Sequence, residues 1–305
     1  MMSSATAVRR MLLLALVVAI GLPAIARAGT ALPAAGKVLR LRPKAGDTAI
    51  YDCKFSARAE LKADSGETSH YQTSGQAQCQ AEVLGDTSGG DFGLRGVIQP
   101  YLMTSKVDGE EEEEEAPEVA ARYVVNPQGR IKSISWLSGD PMLANEETGG
   151  LILTPDDVFL VSGAAILPDK PVKKGGKWSG TVTIPGASMG GDEVIKYESV
   201  LLGEEKFGGV VCDKIKTKAT TSFSASEEAP DGSGKISVTV KVTVAATWLL
   251  DSTRGLIVST TASDQAVITF KITDNGGLLG KATISGTGNY RSVLTEYNSV
   301  PVIAK

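Results

Sequence analysis

Histidine is almost absent from this chain: His70 is the only one among 305 residues. It stands beside a predicted hairpin loop centred on Gly66, where a solvated side chain is expected. A Ser-His-Asp triad, a Cys-His nucleophile pair and a multi-histidine zinc site are therefore all disfavoured. The sequence predicts a protein that is not an enzyme and that uses no metal or cofactor.

Cysteine and aromatic residues are also scarce. The three cysteines are too far apart for Cys-x-x-Cys metal or redox motifs. Aromatic residues make up only 5% of the chain, whereas sugar-binding clefts usually rely on aromatic platforms. Trp136, Trp178 and Trp248 fall at predicted strand ends, where core packing explains them more simply than ligand contact. A glycosidase-type pair of carboxylates stays open, since any two acids can meet in a fold.

Clustered positive charge is lacking as well. The chain has 31 Lys and Arg against 35 Asp and Glu, a net charge of −4. Its densest basic stretch, residues 170–177, contains lysines spaced by proline and glycine. Proteins bind polyanions through clustered cations that displace counterions. Nucleic acid is therefore not an expected partner.

Long apolar runs are confined to the amino terminus. Two arginines precede an apolar run over residues 11–20, and Ala26-Arg27-Ala28 follows, an arrangement typical of a signal peptide cleaved before Gly29. The run is too short to cross a bilayer, which takes roughly 20 residues. A twin-arginine export signal is the alternative. We expect an exported protein, periplasmic or extracellular, with no transmembrane segment in the mature chain. It is not expected to be lipid-anchored, because the residue directly after the cleavage site is glycine and not the cysteine that would carry a lipid.

Alternation of apolar and polar residues is what the chain has in abundance. It is clearest over residues 235–250, where valines share one parity and Lys, Ser and Thr the other. One buried and one wet face is typical of an antiparallel sheet. Several predicted strands are long, which favours a mainly β fold with one large curved antiparallel sheet or half-open β-barrel. The other predicted strands are 49–61, 71–84, 92–104, 119–126, 130–136, 179–184, 193–202, 209–224, 256–272 and 280–296.

Two similar β halves are predicted to follow the signal peptide (1–28). The first half covers residues 29–136 and the second 175–305. Each half contains a strand-turn-strand unit whose turn begins at Asn126 in one and at Asp251 in the other and ends in glycine. Chance recurrence of turn chemistry is the alternative. The intervening crossover, 137–174, holds two short helix candidates, of which the better begins Thr154-Pro155-Asp156-Asp157. The weaker candidate covers residues 141–147.

Six consecutive glutamates, from Glu110 to Glu115, interrupt the strand pattern. Like charges on neighbouring residues repel and prevent burial, so residues 108–118 are predicted to form a solvated, mobile hairpin loop. Weak capture of a hard cation such as Ca²⁺ is the alternative. The run lacks the spaced acids and turn glycine of a calcium loop, so the plain loop is favoured.

Cys53 and Cys79 flank the predicted hairpin loop over residues 63–68. With the hairpin centred on Gly66, the two residues lie directly opposite each other, at about 4.5 Å between Cα atoms in a non-hydrogen-bonded pair. Export places them in an oxidising compartment, so a Cys53–Cys79 disulfide is predicted, with two buried free thiols as the alternative. Cys212 has apolar neighbours and is expected to be a buried, inert thiol.

Turn and strand-start features carry a resemblance to known proteins. These are Gly46-Asp47, Asn126-Pro127-Gln128-Gly129, Leu167-Pro168-Asp169-Lys170-Pro171-Val172 and Gly176-Lys177-Trp178. Over residues 40–300 the chain resembles an uncharacterised family of bacterial exported β-proteins. That family is similar in architecture to periplasmic lipoprotein and lipid carriers of the LolA and LppX kind. The resemblance implies a half-open sheet around a hydrophobic cavity lidded by short helices, and it brings no catalytic residues.

A groove on the concave side of the sheet is the expected functional feature. A long bent sheet presents alternate apolar side chains to its inner side. Val238, Val240, Val242, Ile268 and Phe270 either line this groove or belong to an ordinary core. The expected function is non-enzymatic binding of a hydrophobic or amphipathic ligand such as a lipid. The alternative is a structural or adhesive surface protein with a packed β core, and a hydrolase is a distant third.

Overall fold

The computed structural model describes residues 36–86, 90–138, 166–187, 191–228, 234–274, 277–298 and 300–302. Within these ranges the chain forms strands and no helix. The predicted signal peptide with its cleavage site and both helix candidates, over 141–147 and 154–161, lie outside the described residues.

The described strands are mostly long, and the longest has 21 residues. β-branched side chains and strict alternation favour such extended segments. The strands are β1 (Thr48–Ala63), β2 (Thr68–Asp86), β3 (Phe92–Ile98), β4 (Tyr101–Val107), β5 (Glu110–Ala116), β6 (Val119–Val125), β7 (Ile131–Ser138), β8 (Lys177–Ala187), β9 (Gly191–Phe207), β10 (Val210–Glu228), β11 (Lys235–Asp251), β12 (Leu256–Asp274), β13 (Gly277–Tyr297) and β14 (Val300–Pro301).

All of these strands belong to one antiparallel sheet with the order β7-β6-β3-β2-β1-β13-β12-β11-β10-β9-β8. β14 pairs with β13, and the β4–β5 hairpin pairs with β2 through β4. The edge strands β7 and β8 approach within 8 Å between Cα atoms, yet the described residues form no ladder between them. The predicted large curved antiparallel sheet is therefore confirmed, and it is not closed into a barrel. The division into two similar halves stays a prediction.

Buried and exposed residues alternate along the strands, so one face of the sheet is buried and the other is exposed. In β1, Tyr51 and Phe55 are buried, whereas Asp52 and Lys54, which lie between them, are exposed. The same alternation runs along β11, as predicted from its sequence. We call the buried side the inner face and the opposite side the outer face.

Two irregular segments, residues 36–42 and 166–172, cover the inner face at one end of the sheet. The backbone groups of Lys37 and Val172 hydrogen-bond in both directions, at 2.7 and 2.9 Å. Leu39 and Leu167 have no exposed surface, and full burial of one leucine contributes about 1.5–3 kcal/mol. We call these two segments the plug.

The plug connects the two edges of the sheet. The backbone N–H of Leu167 donates to the carbonyl of Gln128, in the β6–β7 turn, at 2.8 Å. At the other edge, Nε1 of Trp178 in β8 donates to the carbonyl of Ile166 at 2.7 Å. Because one short segment binds both edges, it holds the sheet in its curved form at this end.

A partly buried ion pair fixes the plug to the sheet. Lys37 Nζ lies 2.8 Å from Asp213 Oδ1 and 3.0 Å from Glu204 Oε1. The Asp213 side chain is 1% exposed and that of Glu204 is 61% exposed. The two carboxylates therefore offer a matched comparison of a buried and an exposed partner.

We expect Lys37→Met to lower the free energy of unfolding by about 2 kcal/mol, because it leaves the buried Asp213 carboxylate without its cation. This figure is below the usual cost of breaking a buried pair, since Lys37 itself is partly solvated. Glu204→Gln is expected to cost less than about 0.5 kcal/mol. Urea unfolding of both variants measures these changes. Equal losses of unfolding free energy would show that the buried Lys37–Asp213 contact adds no measurable stability.

Pro100 and Pro117 break two otherwise continuous strands. β3 and β4 follow one another along β2, and β5 and β6 return beside them. Proline has no N–H to donate and fixes φ, so it interrupts a ladder. The single strand predicted over 92–104 is consequently two strands in the structure.

The six glutamates form strand β5, so the loop predicted over 108–118 is wrong, although the segment does belong to a hairpin. Asp108 and Gly109, with φ of 48° and 101°, close a two-residue turn, and Val107 then pairs with Glu110. Pairing uses backbone groups only, and the side chains of Glu110, Glu111, Glu112, Glu113 and Glu115 are exposed to water, so their charges do not prevent it. A charged edge strand also discourages association with other sheets.

Candidate ligand-binding face

The five residues proposed to line a groove lie side by side on the inner face. Val238 is opposite Phe270, and Val240 is opposite Ile268, in the β11–β12 ladder. Val242 follows two residues further along the same face. Val238 and Ile268 are buried and the other three are partly buried. The structure thus brings all five onto one surface.

The inner face carries two separate apolar clusters. The main core fills the plugged end and includes Leu39 and Tyr51. The second cluster lies toward the other end of the strands, and we call it the distal cluster. Its buried members are Leu61, Val238, Ile268 and Ile284, and its partly buried members are Ala59, Tyr71, Val240, Phe270 and Ala282. The distal cluster is therefore less completely covered than the main core.

Small residues occupy the inner face between the large side chains of the two clusters. One row across three strands is Ala57, Gly288 and Asp264, and the next is Ala59, Gly286 and Ala266. We call Ala57, Ala59, Ala266, Gly286 and Gly288 the small-residue belt. Asp264 is the one polar side chain of these two rows.

Asp264 is 8% exposed, although it carries a carboxyl group. This group lies over Gly288, where an added Cβ would overlap Oδ1 of Asp264. Burial raises the pKa of Asp264 to about 6, and hydrogen bonds from the backbone at Asp264 and Gly288 act in the opposite direction. The carboxyl therefore changes its charge close to neutral pH.

Cys53 and Cys79 share the inner face but are not directly opposed, which corrects the predicted register. Cys53 faces Ala77 and Cys79 faces Tyr51, because the hairpin is centred one residue earlier, at Ser65. Diagonal neighbours lie about 7–8 Å apart at Cα, beyond the usual 4.4–6.8 Å of a disulfide. Both cysteines are free thiols in the structure, so the predicted disulfide is not formed there.

The cysteine environment favours unreactive thiols. Burial raises the pKa of Cys79, and a hydrogen bond with Cys53 adds to the rise. Burial also raises the pKa of Cys212 to about 12. A thiol that stays protonated is a poor nucleophile and a poor metal ligand. Cys212 is buried, as predicted.

The remaining residues singled out in the sequence have ordinary positions. The His70 side chain is 65% exposed, as predicted, although it lies within β2. Trp178 and Trp248 pack in or against the main core, as predicted. Among the described residues no group of three His, Cys, Asp or Glu side chains is placed to hold a metal ion. No helix in the described ranges has the length and apolar character needed to cross a membrane.

No family model matches the chain, and no curated protein matches it in sequence. Solved structures similar to it include lipovitellin, in a structure concerned with its lipid–protein interactions, at 12% identity and a TM-score of 0.42. That match covers 86% of this chain and 26% of the lipovitellin chain, so this chain spans about a quarter of lipovitellin's length.

The matches to two further solved structures cover nearly the whole of those proteins' chains. OccK7 (OpdD) of Pseudomonas aeruginosa is 7% identical, with a TM-score of 0.23 over 82% of this chain and 99% of its own. DynF from the dynemicin biosynthesis pathway of Micromonospora chersina is 8% identical, with a TM-score of 0.21 over 88% and 94%. These scores are too low to support a functional argument. The resemblance to LolA and LppX stays a prediction.

Sequence reasoning did not select Asp264, although a signal was present. In the predicted strand 256–272, Asp264 has the same parity as Ile268 and Phe270. An acid on the apolar face of a strand is expected to be buried, and buried acids at such positions often have a function.

Proposed function

We propose that this protein binds a hydrophobic or amphipathic ligand, such as a lipid, on the inner face of its curved sheet. It acts without catalysing a reaction, and it is exported to the periplasm or the extracellular space. The observation that carries the proposal is the distal cluster, a second apolar surface that is separate from the main core.

The two clusters differ in how completely their apolar side chains are covered. The main core is already covered by the plug, whose leucines Leu39 and Leu167 have no exposed surface. In the distal cluster, Tyr71, Val240 and Phe270 are only partly buried. Covering such apolar surface contributes about 25 cal/mol for each Å² removed from water. An apolar ligand lying on the distal cluster would supply that cover.

The geometry also favours a ligand of extended shape. Every second residue of β12 from Asp264 to Phe270 lies on the inner face. At roughly 3.3 Å for each residue, this row is about 20 Å long. β11 and β13 flank this row on both sides. A long alkyl chain matches a strip of this length, whereas a compact polar metabolite does not.

We expect Val240→Asp to weaken binding of N-phenyl-1-naphthylamine, an uncharged apolar fluorophore, at least tenfold, or about 1.4 kcal/mol. The substitution puts a carboxylate into the distal cluster, where its desolvation opposes ligand contact. Fluorescence titration of the full chain measures the effect. Val240→Ser is a milder second variant, and urea unfolding of each variant verifies that it is folded.

The matched control is Val267→Asp. Val267 lies on the neighbouring strand β12, faces outward and is 42% exposed. Binding by this variant should equal that of the unmodified protein. Failure of the unmodified protein to take up the fluorophore, or equal binding by both aspartate variants, would leave a structural role as the better account.

A further inference from the structure

Asp264 has no partner of opposite charge among the described residues. Its pKa is shifted by burial and by backbone hydrogen bonds, and no cation contributes. The internal stretches outside the described residues (87–89, 139–165, 188–190, 229–233, 275–276 and 299) contain no Lys, Arg or His. The counter-ion of this carboxylate is therefore not supplied by these stretches.

The groups that face Asp264 are almost all apolar. Directly across the ladders lie Val244 on β11 and Gly288 on β13. The next inward residues on the three strands are Val242, Ala246, Ala262, Ala266, Gly286 and Tyr290. Tyr290 is the titratable group of this set, and burial raises its pKa well above the ordinary value, so it is neutral at physiological pH.

An unpaired buried carboxylate is costly, and buried charges are normally paired or bound to a cation. Toward β13 and β1, the small-residue belt places only the hydrogens of Gly288 and the methyl group of Ala57 in the row of Asp264. The distal cluster begins in the next row, with Ile268 and Ile284 paired across β12 and β13. A single negative charge thus lies at the border of an apolar surface.

We infer that the ligand is an amphiphile with a cationic amine head group, whose ammonium pairs with Asp264 while its alkyl chain lies on the distal cluster. This inference rests on the proposed function and names its ligand class. A neutral head group leaves the carboxylate unpaired. A carboxylate head group places two like charges in one apolar site, which is strongly unfavourable.

The test compares three ligands of equal chain length: dodecylamine, dodecanol and dodecanoate. Isothermal titration of the full chain at pH 7.5 is expected to show at least tenfold tighter binding of the amine than of the alcohol, and weakest binding of the acid. Asp264→Asn should remove the preference for the amine, so that amine and alcohol bind with similar affinity. Lowering the pH below about 6 should weaken amine binding to the unmodified protein only, because Asp264 becomes protonated.

Asp52→Asn is the matched control, since Asp52 is exposed on the outer face of β1. It should keep the full preference for the amine. Asp264→Ser replaces Asp264→Asn should the latter not fold. Equal binding of amine and alcohol by the unmodified protein, or a preference that survives both Asp264 variants, overturns the inference while the proposed function stands. Binding of none of the three compounds overturns the proposed function and this inference together.

Discussion

Replacing Gly255 by alanine is expected to lower the free energy of unfolding by about 3 kcal/mol. Gly255 ends the β11–β12 turn with φ of +68°, a region in which a side chain costs roughly 1–2 kcal/mol. A Cβ there would also lie 2.9 Å from the Arg40 carbonyl oxygen and 2.9 Å from the Arg42 nitrogen. Both are backbone atoms of the plug and cannot rotate away, so the plug must shift.

Gly46→Ala separates the two causes. Gly46 has a similar φ of +82°, but an added Cβ would meet nothing within 4 Å. Gly46→Ala should lower the free energy of unfolding by about 1 kcal/mol, from backbone strain alone. Urea unfolding of both variants measures the difference. Equal losses would contradict a plug that packs tightly against the β11–β12 turn.

The second large effect is on the pH dependence of stability through Asp264. Its pKa rises from 3.8 to about 6 on folding, so the folded state binds the proton more tightly than the unfolded chain does. The stabilisation from this group is complete below about pH 4 and is lost as the pH rises through 6. With 1.36 kcal/mol for each pKa unit, the loss amounts to roughly 3 kcal/mol.

Between pH 4 and pH 8, the free energy of unfolding of Asp264→Asn should therefore rise by about 3 kcal/mol relative to that of the unmodified protein. Urea unfolding at several pH values gives this difference directly, and other carboxylates cancel in the comparison. Asp52→Asn, on the outer face, controls for the loss of one carboxyl group. Parallel stability curves for Asp264→Asn and the unmodified protein would show that the carboxyl is not desolvated.

The main elements of the fold could be predicted because alternation is a local property of the chain. The strand predicted over 235–250 is β11, Lys235–Asp251, and its inward parity is the predicted one. The register of β1 and β2 was missed because it depends on the exact centre of one turn. A shift of that centre from Gly66 to Ser65 moves the partner of Cys53 from Cys79 to Ala77.

Two features had no local signal. The plug depends on contacts between residues 36–42 and 166–172, which are far apart in sequence and irregular in structure. The glutamate run was expected to be a loop from its charge, yet β5 forms because an edge strand leaves its side chains in water. Sequence patterns report composition and period, and neither specifies long-range partners.

The candidate site was predictable in part. Parity alone placed Val238, Val240 and Val242 on one face, and β12 contributed Ile268 and Phe270 as their neighbours. Parity also places Asp264 on this face, but the position of its carboxyl over Gly288 is seen only in the structure. That relation requires the β12–β13 register, which the sequence does not show.

Organic extraction of the purified full chain, followed by mass spectrometry, tests most directly whether the inner face holds an apolar ligand. We expect one amphiphilic molecule for each chain, lost in Val240→Asp and retained in Val267→Asp. Extraction of no stoichiometric species, together with failure of the same preparation to take up an added apolar fluorophore, would contradict a ligand-binding inner face.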